Sequence, residues 1–160
     1  MRRAALLVGA LLPVLAACGF HLQGVAHLPP AFATTQLVAE DRYTDFHRAL
    51  EDALRASGSR VTGAGATATV EVLSDDSGQR VLSVSASNTP TEYEVYYTVR
   101  YRVRIGDKEA LSPKVLTLTR DYSFNETAVL AKEQEQEQIR AALARELAAL
   151  VMRRLTALGP

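Results

Sequence analysis

From Thr91 to Ile105 the chain alternates with a period of two. Tyr93, Val95, Tyr97, Val99, Tyr101, Val103 and Ile105 take the odd positions, and Glu92, Glu94, Tyr96, Thr98, Arg100, Arg102 and Arg104 the even ones. Successive side chains of a strand point to opposite faces, so this run commits the chain to one long strand with an apolar face and a polar face. Fifteen extended residues span roughly 50 Å. Any fold that forms must cover the apolar face of a strand that long.

Two segments have the period to supply that cover. In TDFHRALEDALRASG the apolar residues Phe46, Ala49, Leu50, Ala53 and Leu54 fall on one helical face, with Thr44 as the N-cap and Gly58 just past the end. Near the C-terminus Ile139, Leu143, Leu147, Leu150, Val151, Leu155 and Leu158 form one stripe. Asn125 is placed to cap that second helix and Glu126 to sit in its first turn. From 126 to 158 it would run roughly 50 Å unbroken. Its first half, AKEQEQEQIR, is far more polar than its second, so one end is expected to overhang the sheet or face a polar surface.

Further strands are expected at residues 36–40 (QLVAE) and in KVLTLTRDYSF, with turns at Asn88 to Thr91 and from Gly106 to Pro113. TATVEVLSDDSGQRVLSVSAS holds two β-rich pieces about Asp75-Asp76-Ser77-Gly78, which suit either a hairpin or a bulge that bends one long strand. The expected fold class is α+β, with two helices packed on one face of a mostly antiparallel sheet of about four strands.

Ahead of the domain stands a different kind of sequence. Met1-Arg2-Arg3 is a short positive segment, and Ala4 to Ala17 is an apolar run too short for a permanent membrane span but of the size of a secretory signal. Leu15-Ala16-Ala17-Cys18 resembles the lipobox of bacterial lipoproteins, in which the cysteine is lipidated and becomes the mature N-terminus. A plain signal ending in a small-x-small site would instead leave Cys18, the chain's single cysteine, as an unpaired thiol in an oxidising compartment. Several acyl chains, at about 0.8 kcal/mol per buried CH₂, make attachment effectively permanent. The expected division is 1–17 as a removed signal peptide, 18–30 as a lipidated leader and 31–160 as one domain. Gly19, rather than Asp, resembles the default that sorts such proteins to the outer membrane.

Chemistry-bearing constellations are thin. His21, His27 and His47 lack metal-ligand spacing and read as surface or half-buried side chains, so no metal or cofactor is expected. There is no G-x-S-x-G and no phosphate-cradling loop, and Glu133, Glu135 and Glu137 read as a solvated face, so no catalytic residue is assigned. With Arg2 and Arg3 removed, sixteen basic side chains face eighteen acidic ones, which does not suggest a nucleic-acid partner. Arg100, Arg102 and Arg104 share the polar face of one strand about 7 Å apart, either as a solvated edge or as a stripe for phosphates or carboxylates.

CGFHLQG at the candidate lipidation site, the amphipathic helix after LPP, TEYEVYYTVRYRV, LTRDYSF, LAKEQEQ and a helix ending MRRLTAL occur in an order that resembles the LptE family of LPS-assembly lipoproteins. The resemblance implies a non-enzymatic plug in the lumen of the LptD β-barrel that helps the barrel assemble and takes part in delivering lipopolysaccharide to the outer leaflet. It favours the bent strand over the hairpin at Asp75 to Gly78. Of two basic positions associated in that family with the phosphorylated lipid, one aligns with Lys132. The other falls in a loop that here reads Ser85-Ala86-Ser87-Asn88, without Arg or Lys. Arg80, or the stripe at 100, 102 and 104, is then the candidate substitute. The alternative is a free-standing, lipid-anchored periplasmic module that binds an anionic glycolipid or peptide.

Overall fold

A computed structural model of the chain describes residues 28–123 and 129–158. The signal segment, Cys18, His21, His27, most of the leader, and Asn125 with Glu126 lie outside the described residues. A 3₁₀ turn at Pro30–Phe32 leads into β1 (Thr34–Val38), α1 (Asp45–Ala56), β2 (Arg60–Val61), β3 (Ala68–Val84), β4 (Pro90–Ile105), β5 (Lys108–Ser123) and α2 (Val129–Thr156).

The strands form one sheet in the order β2-β1-β3-β4-β5. β1 runs parallel to β2 and β3, and the β3–β4 and β4–β5 pairs are antiparallel. The sheet therefore has five strands where about four were expected. The additional one, β2, is two residues long and carries no period to detect; its place is set by backbone bonds from Arg60 N–H to Ala33 O (2.9 Å) and from Thr62 N–H to Thr35 O (3.0 Å). β1 starts at Thr34 rather than 36 because Thr35 and Leu37 are its buried positions, and the hydroxyls of Thr35 and Ser59 converge on the Phe32 carbonyl (3.1 and 2.7 Å).

β3 is continuous through Asp75 to Gly78, with a register shift between Val72 and Ser74 that leaves Leu73 without an opposite residue. That is the bent strand, not the hairpin. β5 begins at Lys108, well before the expected start, because Gly106 and Asp107 alone make the turn, with Gly106 at φ +55°. Pro113 is tolerated inside β5 because it lies on an edge strand, within the irregularity between the Val103–Leu111 and Tyr101–Lys114 pairs.

Both helices cover the odd face of β4. Val95, Tyr97, Val99, Tyr101 and Val103 are buried there against Phe46, Leu50 and Leu54 of α1 and Leu143, Leu147, Val151 and Leu155 of α2. Tyr93 and Ile105, at the ends of the row, are half-buried. Thr44 caps α1, its hydroxyl accepting from His47 N–H (3.1 Å). Tyr97, itself buried, adds a second cap by accepting from Phe46 N–H (3.1 Å). In α2 none of the described side chains before Leu143 is fully buried, yet Ile139 still packs against the core and Lys132 lies over the Tyr122 ring.

Two substitutions separate packing from capping. Leu147→Ala is expected to cost about 2–5 kcal/mol and Tyr97→Phe about 1 kcal/mol, both read as midpoint shifts in urea unfolding with an unchanged slope.

Candidate functional site

Register places the singled-out side chains on two faces. The even positions of β4 point away from the helices, and here Arg100 and Arg104 are exposed with no ion-pair partner among the described residues. Arg102, between them, is held by Glu71 on β3, with Nε and Nη2 at 2.8 and 2.7 Å from the same carboxylate oxygen. Arg80 pairs with Glu94 directly opposite it on β4. The stripe therefore alternates free, held, free, and with Arg80 counted two of the four guanidinium groups already have carboxylates.

The rest of that outer face is polar and closely fitted. Thr98 and Thr117 share a hydroxyl hydrogen bond (3.0 Å) across β4 and β5. The Tyr96 ring lies over Gly78, where an added Cβ would come within 2.6 Å of the phenol oxygen. Any side chain at 78 would have to displace that ring, which lies where the missing side chain would be.

Lys132 stands on the helix side. Its Nζ donates to Glu135 (2.7 Å) and sits 5.5 Å from the centroid of the Tyr122 ring. Tyr122 stacks on Tyr93 at 5.7 Å and donates its hydroxyl proton to Gln79 (2.8 Å). Burial, then the neighbouring Tyr93 and Glu135, push the Tyr122 phenol above its ordinary value of 10.0. Seven residues of β4 separate Tyr93 from Arg100, roughly 23 Å, so the fold does not unite Lys132 with the arginine stripe. Arg80 lies near the level of Lys132 but on the opposite face.

The sequence did not reveal a polar cluster where α1 begins. A small open cleft there is lined by Tyr43, Thr44, Asp45, Arg48, Asp75, Ser77, Tyr97 and Arg140. Partial burial pushes the Asp45 carboxyl up, but hydrogen bonds from Arg140 (2.9 Å) and Arg48 (2.6 Å) outweigh it and hold the group below 3.8. Arg48 is visible as an i,i+3 neighbour, whereas Arg140 lies ninety-five residues away and has no local signal. The exposed apolar Val81, Leu82 and Val84 on the β3–β4 hairpin also had none. Among the described residues no group of three His, Cys, Asp or Glu side chains is placed to hold a metal ion, and no helix is long and apolar enough to cross a membrane.

With this geometry in place, three kinds of likeness are informative. A family model described as LptE, lipopolysaccharide-assembly, matches residues 32–155. The LPS-assembly lipoprotein LptE of Pectobacterium atrosepticum is 27% identical over 153 residues, which cover 94% of this chain and 83% of that protein. Among solved structures, an uncharacterized lipoprotein B from Nitrosomonas europaea superposes with a TM-score of 0.72 at 24% identity, covering 87% of this chain and 91% of that one. The rare lipoprotein B from Shewanella oneidensis gives 0.69 at 22% identity, with 78% and 94% covered. At these identities the two structures bear on the fold alone.

His47 corrects the expectation of a surface or half-buried side chain. It is 5% exposed, and neither ring nitrogen has a hydrogen-bond partner among the described residues. Burial holds its imidazole below the ordinary 6.5, against the opposing pull of Glu51. The folded state thus takes up this proton at lower pH than the unfolded chain, and its contribution to stability is lost as pH falls below about 6.5. Asp45, being depressed, loses its contribution in a separate window below about 3.8. Thermal unfolding at pH 7.5 and 5.5 is expected to show a smaller loss for His47→Leu than for the wild type; equal losses would mean His47 does not set the slope.

Proposed function

The chain belongs to the LptE lipopolysaccharide-assembly family, its residues 32–155 matching the family's model, and from that premise we propose that it is a non-enzymatic, outer-membrane lipoprotein that plugs the LptD β-barrel. In this reading Cys18 is acylated after removal of residues 1–17, and the domain helps the barrel assemble and takes part in delivering lipopolysaccharide to the outer leaflet. The observation that carries it, besides family, is the outer sheet face. A wide barrel has a polar, water-filled lumen, and what closes it must be polar outside and rigid within. The face of Thr98, Thr117, Thr119, Arg100 and Arg104 is of that kind, backed by a helix-covered core.

Lys132 is the candidate lipopolysaccharide contact that family membership supports. Its ammonium is held over an aromatic ring beside Glu135, so a phosphate must compete with one carboxylate only. Arg80 and Arg102 are weaker candidates because Glu94 and Glu71 already neutralise them. The exposed, unpaired Arg100 and Arg104 favour a second reading, a free-standing anchored module that takes an anionic glycolipid or peptide on the sheet.

An affinity pull-down of C-terminally tagged full-length protein from outer membranes in mild detergent separates the two. The plug reading expects a large, heat-modifiable barrel protein in roughly equal amount, lost or reduced with Cys18→Ala. Recovery of the anchored protein alone, together with loss of lipopolysaccharide binding in Arg100→Glu/Arg104→Glu, would favour the module. In the plug reading Lys132→Asp is expected to weaken lipopolysaccharide binding about tenfold while leaving the barrel bound.

A further inference from the structure

The two ends of the sheet differ in charge. The pairs Val61–Thr35, Thr35–Ala68, Ala68–Ile105 and Ile105–Lys108 run as one row across all five strands and define one end. Arg60, Arg104 and Lys108 are exposed there, and the last turn of α2 adds the exposed Arg153 and Arg154. None of the five has an ion-pair partner among the described residues, although Glu109 stands opposite Arg104 in register and Asp107 lies in the adjoining turn. At the opposite end, formed by the β3–β4 turn and the start of α2, the basic groups Arg80 and Lys132 are neutralised by Glu94 and Glu135. Glu92, Asp121, Glu133 and Glu137 are exposed there without ion pairs among the described residues.

The chain also enters at the basic end. Leu28, Pro29 and Phe32 line a cleft with Ser57, Gly58 and Ser59, immediately before Arg60. Ten residues, Cys18 to His27, precede Leu28. Fully extended they reach at most roughly 36 Å. The sixteen residues of β4 place the hairpin end a further 50 Å or so away. An acyl group on Cys18 therefore keeps the basic end within roughly 36 Å of lipid, while the acidic end can lie up to about 50 Å farther away.

We infer that the end bearing Arg60, Arg104, Lys108, Arg153 and Arg154 docks on the headgroups of an anionic phospholipid surface. This rests on the acylation of Cys18 proposed above. Charge complementarity identifies the occupant: exposed cations without a carboxylate partner among the described residues, Arg154 keeping only its hydrogen bond to the Tyr101 hydroxyl, are attracted to anionic headgroups within a Debye length, about 8 Å at physiological salt. The short tether supplies the proximity. The acidic end and the outer sheet face stay available to a protein partner.

The test uses full-length acylated protein, in which Cys18 is consumed by lipid and one introduced thiol takes a fluorophore. Ala157→Cys labels the basic end and Ser87→Cys the hairpin. The protein is reconstituted in vesicles of phosphatidylcholine alone or with a minority of phosphatidylglycerol, each carrying a headgroup quencher. Quenching at 157 is expected to rise about threefold with phosphatidylglycerol and to revert at about 0.5 M salt, while quenching at 87 stays low in both. Arg104→Glu/Lys108→Glu should abolish the rise, and Arg104→Lys/Lys108→Arg should keep it. Equal quenching at the two positions, or in the two lipids, overturns the inference. Flotation of the same samples reads the anchor separately. Protein that floats with both vesicles but shows no lipid dependence sinks the docking surface and leaves the anchor standing. Protein that associates only with phosphatidylglycerol, and is released by salt, keeps the surface and sinks the anchor. Association with neither overturns both.

Discussion

The buried row of β4 is the constraint on which the rest of the structure depends. Val95, Tyr97, Val99, Tyr101 and Val103 line one face of a sheet wider than a single helix covers, so α1 and α2, packed against each other, share it. The hydroxyls of the two tyrosines help to place them. Tyr97 accepts from the first turn of α1 at Phe46, and Tyr101 lies 3.5 Å from Arg154 near the end of α2. A phenol in a core must find a partner for its hydroxyl. Where each helix can sit is thereby limited more narrowly than apolar burial alone would require.

The same strand decides what the opposite face can be. Because side chains alternate, burying the odd positions turns Tyr96, Thr98, Arg100, Arg102 and Arg104 outward. Their neighbours on β3 and β5 then settle the face's character. Glu71 and Glu94 neutralise two arginines, Thr117 pairs with Thr98, and Gly78 makes room for Tyr96. The outcome is a polar face with few free charges in its middle and unpaired cations toward the end where the chain enters.

The edges were the hardest part to foresee. β2 exists because Arg60 and Thr62 find the backbone of β1, a contact between segments that only the turn after α1 brings together. The parallel pairing of β1 with β3 follows from the same crossover and has no signature in either strand. β5 runs past the turn residues of its sequence for a local reason. Pro113 ordinarily ends a strand, but on an edge, in a bulge, its missing N–H leaves no ladder bond unmade.

The sequence by itself determined the long alternating strand, the two amphipathic helices, the Thr44 cap, the bent β3 once the family was considered, and the order of segments by which that family is recognised. These are properties of period and of short-range hydrogen bonding, and they survive in any conformation that buries the apolar positions. The tertiary structure alone decided which charges are free. Arg100 and Arg102 are equivalent in the sequence, yet one is exposed and the other held, because Glu71 on β3 stands opposite Arg102 in register. Arg140 reaches Asp45, His47 is buried without a partner, and Lys132 is separated from the arginine stripe by the thickness and length of the sheet. Pairing of this kind depends on register between segments far apart in the chain, and no local pattern encodes the distance between them.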